Sequence, residues 1–207
     1  MDERKLPLNV AIPVFDDVEI LDFCGPFEVF SVANRYAGEE TFHVFTVAEN
    51  ATITARGGLT VERHHSLNSS PSPDVLVVPG GVGVRAILDD SQILDWIAEQ
   101  AKKSHLVTSV CTGALLLGRC GLLDGLRATT HHQCIEELRK IAPQSEIVED
   151  RRFVDTGRVI TSAGISAGID MSLHIVSRLI GPDTAHGIAT NMEYEYKSEK
   201  TKICDDS

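Results

Sequence analysis

The stretch Leu106-Val107-Thr108-Ser109-Val110-Cys111-Thr112-Gly113-Ala114 decides the fold. Val107, Thr108 and Val110 are β-branched and suit a buried strand, predicted over Leu106–Val110. Small residues follow at once, and a helix is expected to begin within Ala114–Leu117. A strand that turns sharply into a helix is the local form of a nucleophile elbow, which lifts one side chain above the carboxyl edge of a sheet. Cys111 holds that place. A thiol there sits at a helix N-terminus, where free N–H groups and the macrodipole favour thiolate over thiol. The alternative for a cysteine at a strand end is a buried packing role, and the local sequence leaves both open.

Outward from the elbow, strand-like and helix-like segments alternate. This is the pattern of an α/β fold with a mainly parallel sheet and helices on both faces. Strands are expected at Asn9–Val14, Phe42–Ala48 and Val75–Val78, with a hairpin or irregular connection over Ile53–Glu62 and a hairpin over Phe153–Thr161. Helices are expected at Pro26–Asn34, begun after Gly25, and at Ser91–Lys103, capped by Ser91. Others are expected over residues 132–141, over Ser166–Ile180, and after Asp183 as a cap. With no internal repeat or linker, residues 1–207 read as one domain with a core of about 9–194 and a polar tail from about Lys197.

The chain's 207 residues suffice to bury one substantial core. A hydrophobic share of 43% and a charged share of 24% are ordinary for a globular protein. The formal net charge of −11 opposes a nucleic-acid partner, because phosphate contact needs clustered Lys and Arg. No apolar run approaches the ~20 residues of a membrane span. The charged start Met1–Lys5 leads into an apolar stretch too short for a secretion signal. Cys24, Cys111, Cys120, Cys134 and Cys204 form no CxxC pair. They are expected to be reduced thiols in the cytoplasm.

Three further segments carry chemistry. In Val78-Pro79-Gly80-Gly81 a strand ends on two glycines whose N–H groups are expected to serve an oxyanion. Gly81-x-Gly83-x-x-Ala86 also matches a dinucleotide fingerprint weakly, but it follows a mid-chain strand, and Pro79 begins the turn. In Leu21-Asp22-Phe23-Cys24-Gly25-Pro26, Asp22 is either a helix cap or a partly buried carboxyl beside the thiol, raised in pKa and able to donate a proton. In Ala128-Thr129-Thr130-His131-His132 a strand is expected to end in His131, either a partner for the thiolate or one of two surface histidines capping the next helix. His64, His65, His131, His132 and Cys134 match no zinc-ligand spacing, so no metal is expected.

Together LDFCGPFEVF (21–30), VVPGG (77–81), SVCTGALLLG (109–118), RATTHH (127–132) and SAGISAGID (162–170) resemble the ThiJ/PfpI superfamily. These are class I glutamine-amidotransferase-like proteins, and the likeness runs from about Asn9 to Tyr194. It implies a flavodoxin-like three-layer sandwich and a homodimer. Residues 106–131 look most similar to isonitrile hydratases, and the ligand-sensing domains of some AraC-type regulators are similar too. The resemblance implies Cys111 as nucleophile, Asp22 as its hydrogen-bonding carboxyl, Thr112 beside them, Gly81 on the oxyanion side and His131 nearby. Gly164, Ile165 and Gly168 match a loop that borders the hydratase pocket. His132 departs from the family's usual tryptophan and makes that wall polar. Cys24, next to Asp22, could resolve an oxidised Cys111. The activity implied is conversion of an isonitrile to an N-substituted formamide without metal or organic cofactor. The alternatives are a glyoxalase- or deglycase-like enzyme on reactive aldehydes and a redox or small-molecule sensor.

Overall fold

The computed structural model describes residues 6–37 and 40–196. In chain order the first elements are β1 (Leu8–Pro13), α1 (Ile20–Ala37), β2 (Phe42–Ala48), β3 (Thr52–Thr54), β4 (Thr60–Glu62) and β5 (His65–Ser66). Next come β6 (Val75–Val78), α2 (Val84–Ile87), α3 (Ser91–Lys103), β7 (Leu106–Val110), α4 (Gly113–Arg119) and β8 (Arg127–Ala128). The last are α5 (Ile135–Ile141), β9 (Glu146–Ile147), β10 (Phe153–Asp155), β11 (Val159–Ser162), α6 (Ala167–Leu179) and α7 (Pro182–Asn191).

The main sheet has seven strands in the order β10-β11-β7-β6-β1-β2-β5. Only the β10–β11 pair is antiparallel. Every residue of β6, β7 and β11 is buried, which is why these strands read as runs of apolar, β-branched and small residues without alternation. Helices α1, α6 and α7 pack on one another, whereas α2, α3 and α5 gather around α4, so the sheet is the middle of three layers. Counted along the chain, β2-β1-β6-β7-β11 is the doubly wound 2-1-3-4-5 order of flavodoxin-like folds. In such sheets the crevice lies beyond the carboxyl ends of the strands where the winding reverses, here between β1 and β6. The elbow after β7 and the glycines after β6 lie along that edge.

Several expectations change in detail. The first helix starts at Ile20, not after Gly25, and Pro26 lies inside it. Pro26 cannot donate a hydrogen bond to the Asp22 carbonyl, but packing of α1 against α6 and α7 outweighs that local loss. The cap of α3 is Asp90, whose carboxylate accepts the Gln92 N–H at 2.9 Å, one residue before the expected Ser91. Residues 132–141 split into a 3-10 turn and α5. The cap of α7 is Gly181, with Pro182 and Asp183 inside the first turn. The polar tail and Cys204 lie outside the described residues.

The elbow requires a glycine at 113. A Cβ there would lie 2.1 Å from the Val78 carbonyl oxygen, so α4 starts almost in contact with β6. Gly113→Ala is therefore expected to destabilise the protein by about 1–3 kcal/mol in urea denaturation. Helix propensity alone would give the opposite sign, a gain of up to about 1 kcal/mol.

Candidate active site

Cys111 leaves β7 with a φ of 56°, in the left-handed region that residues with side chains rarely enter. Such a conformation costs about 1–3 kcal/mol and persists only where neighbours over-determine it. Here they do. The Cys111 N–H lies 3.2 Å from both the Ser162 and Ala163 carbonyls at the end of β11. Its own carbonyl accepts the Thr130 hydroxyl at 2.7 Å. The thiol is turned over the carboxyl edge of the sheet and is 6% exposed.

Asp22, in the first turn of α1, has no exposed surface. Its Oδ2 accepts the Gly80 N–H at 3.1 Å, so it ties α1 to the β6 turn and does not cap its own helix. Thr112 Oγ1 accepts the Gly81 N–H at 2.9 Å and lies 3.1 Å from the Gly81 carbonyl oxygen, to which its hydroxyl can donate. Both glycine N–H groups are thus engaged by site side chains. They are not free for an oxyanion, nor for the pyrophosphate of the weak fingerprint. The amide that acts on the Cys111 sulfur is the Thr112 N–H.

Burial decides the protonation states. Desolvation lifts the Asp22 carboxyl to about 7, against the hydrogen bond from Gly80 and the nearby Cys111 thiol; Oδ1 has no hydrogen-bond partner among the described residues, and the charge of Glu19 lifts the group further. Desolvation, then the charge of Asp22, push the Cys111 thiol up to about 12, outweighing the Thr112 N–H. The sequence expectation of a thiolate favoured by the helix N-terminus is therefore corrected: in the resting site the sulfur is a thiol. The raised carboxyl expected of Asp22 is present. Between pH 7 and 12 the pair holds one proton, which moves between sulfur and carboxyl as a unit.

The remaining candidates frame this pair. His131 is half-buried, and a Cβ on Gly164 would fall 2.2 Å from its Cδ2, so the ring packs closely against that loop. Its Nδ1 accepts the Gln133 N–H at 3.2 Å, the capping alternative. His132 is exposed and stacks on His131 at 4.3 Å between ring centroids. The groups acting on the Cys111 thiol are Asp22, the Thr112 N–H and Cys134; His131 is not among them. Ile165 has a φ of 56°, the second strained residue of the site. Gly168 presses on Val110, where a Cβ would meet Cγ1 at 2.9 Å. Cys24 is half-buried, with its thiol raised by burial.

Sequence inspection missed Glu19, Thr130 and Cys134. Glu19 acts electrostatically on both Asp22 and His131 and lies 3.4 Å from Arg56. Its spacing of three from Asp22 was the available signal. Thr130 and Cys134 flank the histidines but reach Cys111 only through the fold. Among the described residues no group of three or more His, Cys, Asp or Glu side chains could hold a metal ion.

The DJ-1/PfpI family model matches residues 8–178. Isonitrile hydratase from Pseudomonas putida is 36% identical over 193 residues, 91% of this chain and 79% of that protein. The HTH-type transcriptional regulator GbdR from Pseudomonas aeruginosa is 25% identical over 93% of this chain, which spans only 52% of that regulator. A crystal structure of a ThiJ/PfpI family protein from Pseudomonas syringae aligns with a TM-score of 0.83 at 27% identity. It covers 96% of this chain and 80% of that one.

The Asp22 carboxyl keeps its proton up to about pH 7 when folded. In the unfolded chain it loses the proton near pH 4. The stability linked to this group is thus complete below about pH 4 and is lost as pH rises through about 7. Relative to Asp22→Asn, the wild type should lose on the order of 3 kcal/mol between about pH 4 and pH 8, read from urea midpoints. Parallel curves for the two proteins would contradict a buried, raised carboxyl.

Proposed function

The chain belongs to the DJ-1/PfpI family, and from that premise we propose that it is an isonitrile hydratase-like enzyme with Cys111 as nucleophile. One observation carries this most directly: a buried carboxyl and a buried thiol act on each other and hold one proton between them near neutral pH. Isonitrile hydration needs both partners at a single atom. The terminal carbon of R–N≡C must receive a proton and a nucleophile, and the thiolate–carboxylic acid form of the pair supplies both.

In the proposed sequence, Asp22 protonates the isonitrile carbon as the Cys111 sulfur bonds to it, which gives the thioimidate S–CH=N–R. Asp22, now a carboxylate, takes a proton from water as the oxygen adds to that carbon, and passes it to nitrogen. Collapse of the S–CH(OH)–NH–R adduct expels the sulfur, which recovers the hydroxyl proton, and releases the formamide R–NH–CHO. The net change is R–N≡C plus water to R–NH–CHO. The Thr112 N–H, which acts on the sulfur, would hold the thiolate as it forms and leaves, and Thr112 with Gly80 and Gly81 would fix the carboxyl and the elbow. Gly164, Ile165, His131 and His132 would wall the substrate's R group.

We further propose that the protein acts in the cytoplasm as a homodimer on a small molecule, without metal, organic cofactor or nucleic acid. No described helix is long and apolar enough to cross a membrane.

With a simple alkyl isonitrile, wild-type protein should release the formamide. Cys111→Ala should lower kcat/KM by at least about 10³-fold and Asp22→Asn by roughly 10²–10⁴-fold. The active form holds one proton, so kcat/KM should rise with pH through about 7 and stay level until the second proton leaves near 12. Formamide release by Cys111→Ala at the wild-type rate would overturn the proposal. Conversion of methylglyoxal to lactate with no isonitrile turnover would move the assignment to the aldehyde enzymes.

A further inference from the structure

At two of the site side chains a polar atom has no hydrogen-bond partner among the described residues. One is Oδ1 of Asp22, sealed from solvent. The other is Nε2 of His131. Its Nδ1 accepts the Gln133 N–H at 3.2 Å, so the neutral ring carries its proton on Nε2. That N–H is not among the polar atoms that the fold seals off, so it is open to a ligand.

The ring stands beside the nucleophile. Thr130, the residue before it, donates to the Cys111 carbonyl at 2.7 Å. The ring packs on Gly164, next to the Ala163 carbonyl that takes the Cys111 N–H. It is also held in place. His132 stacks on it with centroids 4.3 Å apart and planes tilted by 32°. A Cβ added to Gly164 would fall 2.2 Å from Cδ2 and 3.1 Å from Nε2. Burial, then His132, hold the imidazole below its ordinary pKa against the charge of Glu19. At about pH 8 it is therefore a neutral donor and not a cation.

A fixed donor beside a reacting carbon selects for an acceptor on whatever binds there. The surrounding charge decides which acceptor. Above pH 7 the Cys111–Asp22 pair holds one proton and so carries one negative charge. Glu19, which bears on both Asp22 and His131, adds another, with Arg56 at 3.4 Å as its counter-ion. An anionic R group would meet that field, whereas a carbonyl oxygen would not.

We propose that His131 is a specificity-determining residue of the site: its Nε2–H receives a neutral acceptor, such as an ester or amide carbonyl, on the R group of the isonitrile. This substrate class rests on the hydratase reading above.

The test compares methyl isocyanoacetate with n-butyl isonitrile, whose chain has the same length, at about pH 8. His131→Phe keeps a ring and loses the donor. Gly164→Ala keeps the imidazole and pushes it from its seat. A neutral hydrogen bond is worth roughly 3- to 10-fold, so the ester-to-alkyl ratio of kcat/KM should fall by that factor from wild type to each variant. Intrinsic reactivity cancels in this comparison, and a variant that is merely less well folded loses both substrates alike. An unchanged ratio in both variants overturns the proposal. So does a larger loss for isocyanoacetate than for its ester in His131→Phe, which would mark an anion site.

Binding separates recognition from chemistry. In Cys111→Ala protein, calorimetry should find the preference for N-formylglycine methyl ester over N-butylformamide reduced roughly 3- to 10-fold by adding His131→Phe. If wild type turns over no isonitrile while this preference is present, the hydratase reading falls and the acceptor site stands. If both isonitriles turn over with the ratio unmoved, the hydratase reading stands and the acceptor site falls.

Discussion

Two acids share one desolvated crevice, and both ions cannot exist there together at moderate cost. Asp22 and Cys111 arrive from elements that have nothing to do with one another locally, the first turn of α1 and the end of β7. What brings them together is the winding of the sheet. Where β1 and β6 run side by side with their connections leaving in opposite directions, a crevice opens beyond the strands. Asp22 closes one wall through Gly80, Thr112 closes the other through Gly81, and the sulfur stands between them. Burial then raises both groups, and the proton that remains is common property.

Much of the scaffold was legible because it is locally encoded. Phe42–Ala48, Val75–Val78, Ser91–Lys103 and Leu106–Val110 are elements with the same ends in the sequence and in the structure. Each is a strand rich in apolar and β-branched residues or a helix with one clear apolar face. The misreadings occur where tertiary contacts override a local rule. Pro26 is an ordinary helix starter, yet α1 runs back to Ile20 because packing on α6 and α7 buries the turn that carries Asp22. Ser91 is an ordinary cap residue, yet the cap of α3 is Asp90, whose carboxylate takes the Gln92 N–H.

The site was legible by residue type and not by role. Cys111, Asp22, Thr112, Gly80, Gly81, Gly164, Ile165 and His131 do gather at one edge, because motifs at strand ends of a parallel sheet are carried to the same side. Their hydrogen bonds could not be foreseen. Whether a glycine N–H is free depends on a carboxyl and a hydroxyl that lie 58 and 31 residues away in the chain. The thiol shows the same limit in energetic form. A short helix N-terminus favours thiolate by a modest local field, whereas burial and a neighbouring carboxylate oppose it more strongly. Only the first is visible in a local stretch of sequence.

A resting thiol is no handicap if substrate completes the electrostatics. In the proposed reaction an isonitrile carbon would accept the carboxyl proton at the step in which sulfur bonds to it, so the crevice would never have to hold an isolated thiolate beside an isolated carboxylate. That makes geometry, and not thiol acidity, the quantity the fold must protect. The two left-handed residues fit this demand. Cys111 and Ile165 are both at φ 56°, and the Cys111 N–H is tied to the Ser162 and Ala163 carbonyls just before the Gly164-Ile165 turn. Relaxing Cys111 would swing the sulfur away from Asp22. Strain of this kind survives only under restraint from several sides, and at Cys111 the restraint comes from the Thr130 hydroxyl on its carbonyl and the Ser162 and Ala163 carbonyls on its N–H.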